Sequence, residues 1–253
     1  MAVSLLGLGT VKLGRDQGVR YATQFAIPDD RSARDLLDCA QALGVNLLDT
    51  APAYGRSEER LGSLLRGQRA RWLLCSKVGE AFEQGRSRYD FRPEQVHHSV
   101  VRSLERLRTD YLDIVLIHSD GDDLAILDRL GTLEALQQLK QRGLIRALGI
   151  SHKTEAGARR ALALGCDVIM ATLNSDEREQ EAVIADAGRA GCGVLVKKAL
   201  AGGHAPLDSL RYVAGCAGVS SIVVGTISPE HLRADATALC PPAPPEAPAD
   251  GSR

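Results

Sequence analysis

Short runs of aliphatic and β-branched residues alternate with longer segments of helical periodicity from residue 5 to about residue 238. This alternation is typical of repeated βα units, whose strands pair in a parallel sheet. Eight runs have the length and composition of buried strands: Leu5–Leu8, Val45–Asp49, Trp72–Ser76, Ile114–Ile117, Ile145–Ile150, Val168–Ala171, Gly193–Val196 and Ser221–Val224. A closed barrel of eight βα units needs about 250 residues, and the chain has 253. The sequence therefore predicts an α/β protein with a (β/α)8 TIM barrel, and an open sheet is the alternative.

Local signals mark helices between these strands. Residues that commonly begin helices precede or open five helical segments: Ser32, Ser57, Pro93, Thr132 and Thr154. Glycines that can end a helix follow four segments: Gly44, Gly143, Gly165 and Gly191. These signals agree with the alternation of strands and helices that a barrel requires.

Composition and charge narrow the classes of partner. The 31 basic and 32 acidic residues give a net charge of -1, so the chain lacks the broad positive field that attracts nucleic acid or anionic membranes. No run approaches the roughly 20 apolar residues of a membrane span, and the first residues lack a secretory signal. We therefore expect a cytoplasmic protein that binds a small molecule, and these features leave its oligomeric state open.

The last residues differ in composition from the rest of the chain. Residues 240–253 are rich in proline and alanine, and such a segment cannot bury enough apolar surface to fold. The sequence predicts a disordered tail over residues 240–253, which leaves residues 1–239 as a single barrel domain.

Polar residues follow three consecutive predicted strands. The second strand ends at Asp49, with Tyr54 in the loop behind it, the third is followed by Lys77, and the fourth is followed by His118. Because the carboxyl ends of barrel strands open on one mouth, these four side chains are expected to lie close together. Each has an ordinary explanation alone, as a cap, a solvated lysine or a residue lining a pocket, but their common position indicates a site.

Proton transfer is the chemistry that these four groups can share. A phenol titrates near pH 10, and a nearby ammonium lowers its pKa, so Lys77 is expected to make Tyr54 a better acid. Asp49 would keep Lys77 charged and oriented, and His118 would orient a substrate oxygen or relay the proton. An acid that faces a carbonyl also needs a reductant, which no side chain supplies, so a nicotinamide cofactor is the natural complement.

Five segments, in their order and spacing, resemble the aldo-keto reductase superfamily: LLDTAPAYGRSEERLG, CSKVG, LDIVLIHSD, LGIS and SIVVGTISPEHL. The resemblance covers residues 5 to about 238. It implies that Tyr54 is the general acid, that Lys77 and Asp49 tune its pKa, and that His118 orients the carbonyl. It also implies hydride transfer from NADPH or NADH to an aldehyde, ketone or aldose carbon, with alcohol oxidation as the reverse reaction.

The resemblance further implies an extended NAD(P)(H) across the barrel mouth, held without a GxGxxG motif. Positions that match the family's cofactor contacts follow several strands: Thr10, Asp49, Ser151, His152, Lys197, Lys198, Gly225, Thr226, Ser228, His231 and Asp235. Arg233 or the lysine pair can supply charge for a phosphate, so NADP(H) is slightly favoured, and NAD(H) is the alternative. Ser228 can equally be the N-cap of the last helix.

Some positions depart from the family's pattern around the nicotinamide. His152 stands where many relatives have asparagine, and Met170 stands where they have a glutamine that holds the nicotinamide amide. Leu173 precedes Asn174 where relatives often have tyrosine. These departures keep open a second interpretation, a cofactor-binding sensor or regulatory subunit with little turnover.

Further departures concern the adenosine end and a loop over the cofactor. Gly225 and His231 replace basic residues, and Ala234 and Asp235 replace an acidic residue and an asparagine. The segment AGGHAPLDS after the seventh strand is shorter than the flap of many relatives. The sequence therefore predicts faster cofactor exchange or a more open pocket.

A third interpretation is a metal-assisted barrel hydrolase. It would combine His118 and Asp49 with the nearby acidic residues Asp120, Asp122 and Asp123. The spacing offers no second histidine at a strand end, and no cysteines have the spacing of a metal site, so the sequence offers no complete ligand set.

Loops at the mouth of a barrel usually decide its substrate. Five residues are candidates for substrate contacts, and the sequence does not place them: Gln24, Phe25, Trp72, Phe82 and Tyr89. Residues 80–92 would form a lid or an ordinary surface loop.

Overall fold

A computed structural model describes residues 1–19 and 21–239. These residues form ten strands: β1 (Leu6–Gly9), β2 (Leu47–Asp49), β3 (Leu73–Val78), β4 (Glu80–Glu83), β5 (Arg86–Tyr89), β6 (Leu112–His118), β7 (Ile145–Ser151), β8 (Val168–Thr172), β9 (Gly193–Lys197) and β10 (Ser221–Val224). All except β4 and β5 pair in parallel, and β1 pairs with both β2 and β10. The sheet is thus a closed eight-stranded barrel, as predicted, and not an open sheet.

The barrel interior is filled mainly by side chains of the strands. One buried cluster contains no helical residue and therefore lies inside the barrel: Leu47, Cys75, Ile114, Leu116, Ala147, Val168, Met170 and Leu195. Gly149 allows β7 to approach β8 closely, because a Cβ there would lie 1.6 Å from the Val168 carbonyl oxygen. The packed interior separates the two ends of the barrel, so a site can form only at a rim or outside the strands.

Nine helices surround the barrel within the described ranges: α1 (Asp30–Ala42), α2 (Ser57–Leu64), α3 (Pro93–Leu107), α4 (Asp123–Asp128), α5 (Thr132–Gln141), α6 (Glu155–Ala163), α7 (Glu181–Arg189), α8 (Asp208–Gly215) and α9 (Pro229–Leu239). Their buried faces join the outward side chains of the strands in one larger apolar cluster. Strands buried on both faces explain why the strand sequences are apolar without alternation.

Local signals predict helix boundaries with mixed success. Pro93 opens α3, and Thr154 caps α6 by accepting the Gly157 N–H. The prediction that Ser32 begins the first helix is wrong, because Asp29 accepts the Ser32 N–H over 2.8 Å and α1 begins two residues earlier. The four predicted helix-ending glycines all have φ between 74° and 78°: Gly44, Gly143, Gly165 and Gly191.

Two predicted caps have other roles. Ser57 begins α2, but its hydroxyl donates to Thr10 Oγ1 over 2.8 Å and makes no helix cap. Thr132 lies inside the first turn of α5, and its hydroxyl donates to the Phe91 carbonyl over 2.7 Å. Both hydroxyls therefore connect a helix to a loop at the barrel mouth.

Residues 80–92 are not a plain loop. β4 and β5 form an antiparallel hairpin in which Glu80 pairs with Tyr89. Gly79, with φ 98°, makes the turn from β3 into the hairpin, and a Cβ there would lie 2.3 Å from the Phe91 ring. The hairpin therefore rises directly from the carboxyl end of β3.

Trp72, a candidate for substrate contact, does not lie at the mouth of the barrel. Trp72 immediately precedes β3 and is 3% exposed in the outer apolar cluster. It therefore occupies the amino end of the barrel, opposite the mouth.

Two expectations concern the membrane and the end of the chain. Among the described residues, no helix combines the length and apolar character that a bilayer crossing requires. The predicted tail, residues 240–253, lies outside the described residues.

Candidate active site

Asp49, Tyr54, Lys77 and His118 meet at the carboxyl end of the barrel. Asp49 ends β2, Lys77 is the last residue but one of β3, and His118 ends β6; these three strands are neighbours. Lys77 Nζ donates to Asp49 Oδ1 over 2.6 Å, and the Tyr54 hydroxyl donates to Asp49 Oδ2 over 3.4 Å. The Tyr54 and His118 rings meet edge to face, with centroids 6.3 Å apart. The four groups therefore share one small volume.

The Lys77 ammonium is held between fixed acceptors in a buried position. Its side chain is 1% exposed, that of Asp49 is 5% exposed, and Nζ also donates to the Thr50 carbonyl over 3.0 Å. Burial, the largest single effect, lowers the pKa of Lys77, but the charges of Asp49, Tyr54 and Cys75 and the hydrogen bond to Asp49 together raise it above its usual range. Lys77 is therefore a permanent cation, and its nitrogen lies 4.7 Å from the centre of the Tyr54 ring.

Burial changes the pKa of the Tyr54 phenol more than the charge of Lys77 does. Burial raises the pKa of Tyr54 well above its usual range, Lys77 lowers it, and Asp49 raises it further. The expected net lowering by Lys77 is not found, because removing a phenolate from water costs more free energy than one ammonium recovers. The phenol is thus protonated at neutral pH, and a phenolate at this position would lie beside the Lys77 cation.

His118 has a carboxylate partner that the sequence analysis did not single out. Its Nδ1 lies 2.7 Å from Oε2 of Glu80, although the oxygen lies off the ideal direction of the ring N–H. Burial lowers the pKa of His118, and Glu80 opposes this effect. The sequence signal for this partner is the position of Glu80, three residues after Lys77 at the end of a strand. The hairpin is needed to bring the Glu80 side chain to the rim.

Thr10 forms a hydrogen bond with the backbone of Asp49. Its hydroxyl is fully buried and donates to the Asp49 carbonyl over 3.0 Å, while it accepts the Ser57 hydroxyl. The side chain predicted to contact the cofactor thus fixes the backbone at the end of β2.

Ser151, His152 and Lys197 form a second polar group at the same rim. Lys197 Nζ donates to Ser151 Oγ over 2.8 Å and to the His152 carbonyl over 3.2 Å. Burial, with the charges of Lys77 and Lys198, lowers the pKa of Lys197 to about 7. His152 is 1% exposed, and neither ring nitrogen has a hydrogen-bond partner among the described residues. Burial lowers the pKa of His152 to about 4, so its ring is neutral.

The loop after β10 joins the rim to α9. A Cβ on Gly225 would lie 3.3 Å from the Tyr21 hydroxyl, so the backbone and this phenol are close. Thr226 Oγ1 accepts the Ser228 N–H over 3.1 Å, and Ser228 Oγ accepts the His231 N–H over 3.2 Å. Ser228 therefore caps α9, as its ordinary interpretation predicts.

Asp235 and Lys198 differ in environment. Asp235 is 4% exposed on α9, and burial raises its pKa to about 6. Lys198 is exposed and has φ 60°, an uncommon conformation for a residue with a side chain. Of the two, only Lys198 presents a cation to solvent.

Tyr21 is a second phenol at the mouth that the sequence analysis did not name. Burial raises its pKa to about 12, and the nearby Asp49 charge adds to the effect. The Lys12 ammonium lies 4.0 Å from the centre of its ring, and Phe25 meets the ring edge to face at 5.6 Å. Phe25 thus packs within the first loop, whereas Gln24 is exposed.

Loops cover the mouth from two sides. The Ala22 N–H donates to the Gly202 carbonyl over 3.0 Å, so the first loop is bonded to the short loop after β9. On the other side, the Arg15 guanidinium lies 3.4 Å from the centre of the Phe82 ring. Tyr89 stacks on Phe91 with centroids 6.1 Å apart.

The residues that depart from the family's pattern after β7, in β8 and just after β8 are buried. Met170 lies in the barrel interior and is 2% exposed, and Leu173 is fully buried. The Asn174 side chain accepts the N–H groups of Asp176 and Glu177, which turns the loop after β8.

The acidic run after β6 has structural partners. Asp123 Oδ2 accepts the Thr154 N–H over 2.8 Å and the Thr154 hydroxyl over 2.6 Å. Asp122 accepts the Ala125 N–H at the start of α4. Within residues 1–19 and 21–239, no three His, Cys, Asp or Glu side chains gather in a way that could hold a metal ion.

Solved structures and curated proteins include close relatives of this chain. A putative aldo-keto reductase from Pseudomonas aeruginosa superposes with a TM-score of 0.88 at 51% identity, over 94% of this chain and 90% of its own. D-arabinose 1-dehydrogenase of Saccharomyces cerevisiae is 37% identical over 49% of this chain and 37% of its own length. L-galactose dehydrogenase of Arabidopsis thaliana is 34% identical over 60% of this chain and 45% of its own length. The chain thus spans less than half the length of these curated relatives.

A family model matches most of the barrel. The model of the aldo/keto reductase family matches residues 5–208, which include β1 to β9 and all four residues gathered at the rim. The chain therefore belongs to the aldo/keto reductase family.

Proposed function

We propose that the chain is an NAD(P)(H)-dependent oxidoreductase that interconverts an aldehyde or ketone and the corresponding alcohol, including the oxidation of an aldose. The observation that carries this proposal is the bonding of Tyr54 and Lys77 to one carboxylate, Asp49, at the barrel mouth. The names of two relatives, D-arabinose 1-dehydrogenase and L-galactose dehydrogenase, agree with a sugar or a similar polyhydroxy compound as substrate.

Tyr54 is the proposed proton donor in reduction. Burial keeps its pKa high, so the phenol holds its proton until a stronger base, an alkoxide, develops beside it. The phenolate that remains lies next to the Lys77 cation, which Asp49 keeps oriented at 2.6 Å. The site thus stabilises charge that exists only after proton transfer, and that is the requirement for catalysis.

The residues at the mouth fit a nicotinamide cofactor, which would supply or accept the hydride when bound. His152 offers two buried ring nitrogens without partners among the described residues, and such groups suit a polar planar ligand such as a carboxamide. Ser151 and Lys197 lie beside it, and the loop from Gly225 to Ser228 leads to α9. We propose that these residues bind the cofactor and that NADP(H) is slightly preferred, because Lys198 presents an exposed cation.

Substitution of Tyr54 tests the proposal. In Tyr54→Phe we expect kcat to fall about 10²- to 10⁴-fold, the usual contribution of a positioned general acid. Cofactor binding, followed by fluorescence titration with NADPH and NADH, should be retained. Turnover would be measured with a panel of aldehydes and ketones in one direction and of alcohols and aldoses in the other.

Tyr21 provides the matched control because it is a second half-buried phenol whose pKa the Asp49 charge raises. Tyr21→Phe should keep turnover within a few-fold of the parent chain. Loss of turnover in Tyr21→Phe with near-normal rates in Tyr54→Phe would reassign the acid. Tight cofactor binding by the parent chain without turnover of any substrate would favour a sensor over an enzyme.

A further inference from the structure

Glu80, at the start of the β4–β5 hairpin, lies next to the His118 ring. It is the first residue of β4, its side chain is 8% exposed, and its Oε2 lies 2.7 Å from His118 Nδ1. This separation is within the range of a charge-assisted hydrogen bond, but the oxygen lies off the direction of the ring N–H, so Glu80 acts on His118 as an adjacent negative charge. The two residues come from different elements, so the contact depends on the hairpin.

The carboxylate of Glu80 is itself held in place. Ser87, opposite in β5, donates its hydroxyl to Glu80 Oε1 over 2.5 Å, which leaves Oε2 for His118. Burial opposes ionisation of Glu80, yet the contacts with His118 and Ser87 and the charge of Arg15 lower its pKa to about 2. Glu80 is therefore an anion at neutral pH and can only accept a hydrogen bond.

The other groups around His118 favour its neutral form. Lys77 on β3 and Lys197 on β9 add to burial in lowering its pKa, and only Glu80 raises it. The phenol of Tyr54, whose ring meets His118 edge to face, is protonated and carries no charge at neutral pH. Around Glu80, the remaining titratable neighbours are Arg15 and Tyr89.

These contacts fix which nitrogen of His118 carries the proton. A carboxylate at Nδ1 requires a hydrogen there, so in the neutral ring Nε2 is an acceptor. Because Glu80 lies at Nδ1, Nε2 is the nitrogen that remains for a substrate. A neutral His118 in this tautomer accepts a hydrogen bond from a substrate hydroxyl, and it can donate to a carbonyl oxygen only after gaining a second proton.

We propose that Glu80 is a positioning residue that holds His118 in the tautomer with the proton on Nδ1. At neutral pH, Nε2 of His118 then accepts a hydrogen bond from a substrate hydroxyl. Nε2 donates a hydrogen bond to a carbonyl only when His118 is protonated. The inference rests on the proposed function and adds to it a preferred direction of reaction that depends on the protonation of His118. Alcohol or aldose oxidation is favoured when His118 is neutral, and carbonyl reduction is favoured when His118 is protonated.

The first test needs no turnover. Nitrogen-15 NMR of the histidine rings, with His118 identified among the six histidines by its absence in His118→Asn, reports the tautomer and its titration. We expect the Nδ1–H tautomer in the parent chain. In Glu80→Gln the titration midpoint should move to lower pH by about one unit, a tenfold change in proton affinity. Glu83→Gln, an exposed residue of the same strand, should leave the midpoint unchanged.

The second test uses rates in both directions. For Glu80→Gln we expect the pH profile of kcat/KM for reduction to move to lower pH with the NMR midpoint, while the profile of Glu83→Gln stays in place. Ser87→Ala, which frees Glu80 Oε1, should shift both readouts in the same direction by less. A parent chain in the Nε2–H tautomer, or an NMR midpoint that Glu80→Gln does not move, would overturn the inference. Absence of all turnover with the expected NMR result would instead reject the proposed function.

Discussion

At the scale of single residues, the candidate site depends on one buried ion pair. Lys77 and Asp49 are almost completely removed from water and 2.6 Å apart. Such a pair adds little net stability, because desolvation offsets attraction, but removing one partner leaves a buried charge uncompensated. The pair therefore fixes the position of the ammonium near Tyr54 more than it stabilises the fold.

This view predicts strongly non-additive mutational effects. Lys77→Met should lower the free energy of unfolding by about 3–5 kcal/mol, because the Asp49 carboxylate then lies buried without its cation. The double variant Lys77→Met/Asp49→Asn should recover a large part of that loss, because both charges are gone. Urea unfolding of the single and double variants measures the coupling. Additive losses would show that the pair does not act as a unit.

The sequence predicts the core of this site and misses its edges. Asp49, Lys77 and His118 lie at or near strand ends, where periodicity and barrel geometry together place a side chain at the mouth. Glu80 and Tyr21 reach the same region from segments whose paths depend on the hairpin turn at Gly79 and on loop contacts. The spacing of Glu80 after Lys77 is a weak signal, and no local pattern encodes the paths that bring Glu80 and Tyr21 to the mouth.

At the scale of elements, the β4–β5 hairpin links the end of β3 to the site. Gly79 makes the turn with φ 98°, packed against Phe91, and Glu80 follows directly. On the other side of the hairpin, Phe82 packs under Arg15 of the first loop. The hairpin therefore has fixed contacts at both ends, and its position sets that of Glu80.

Gly79→Ala should displace the hairpin. A Cβ at Gly79 would lie 2.3 Å from the Phe91 ring in a conformation with positive φ, whereas Gly85 in the hairpin turn has φ 78° and meets nothing closer than 4.0 Å. Both alanine variants should lose about 1–2 kcal/mol from backbone strain. Only Gly79→Ala should lose more free energy of unfolding than this and shift the nitrogen-15 NMR signals of the His118 ring. Equal stability and unchanged His118 signals in the two variants would contradict this role of Gly79.

Helix boundaries show why local signals succeed only in part. Asp29 and Ser32 are both good capping residues, and the structure uses Asp29, because its carboxylate accepts the Ser32 N–H. Ser57 and Thr132 turn their hydroxyls to Thr10 and to the Phe91 carbonyl instead. Capping preferences thus compete with long-range hydrogen bonds, which the sequence does not reveal.

For the molecule as a whole, closure of the barrel determines which parts of the chain contribute side chains to its mouth. β1 pairs with β10 as well as β2, so strands from both ends of the chain surround one rim. The number of strands and the chain length favour this closure, but eight buried parallel runs also fit an open sheet, and the pairing of β1 with β10 is what decides between them. The loops over the mouth, such as the bond from Ala22 to Gly202, follow from packing and had to be observed.

Truncation tests where this closed unit ends. α9 packs against α1 and α8, with Leu232 fully buried, and the Pro229 carbonyl accepts the Cys39 thiol over 3.6 Å. A chain that ends at residue 239 should unfold at the same urea concentration as the full chain, because the predicted tail of residues 240–253 is too polar and proline-rich to pack. A chain that ends at residue 228 should be much less stable, since burial of Leu232 alone is worth about 2–5 kcal/mol. If removing residues 240–253 lowered stability as much as removing α9 as well, those residues would belong to the folded domain.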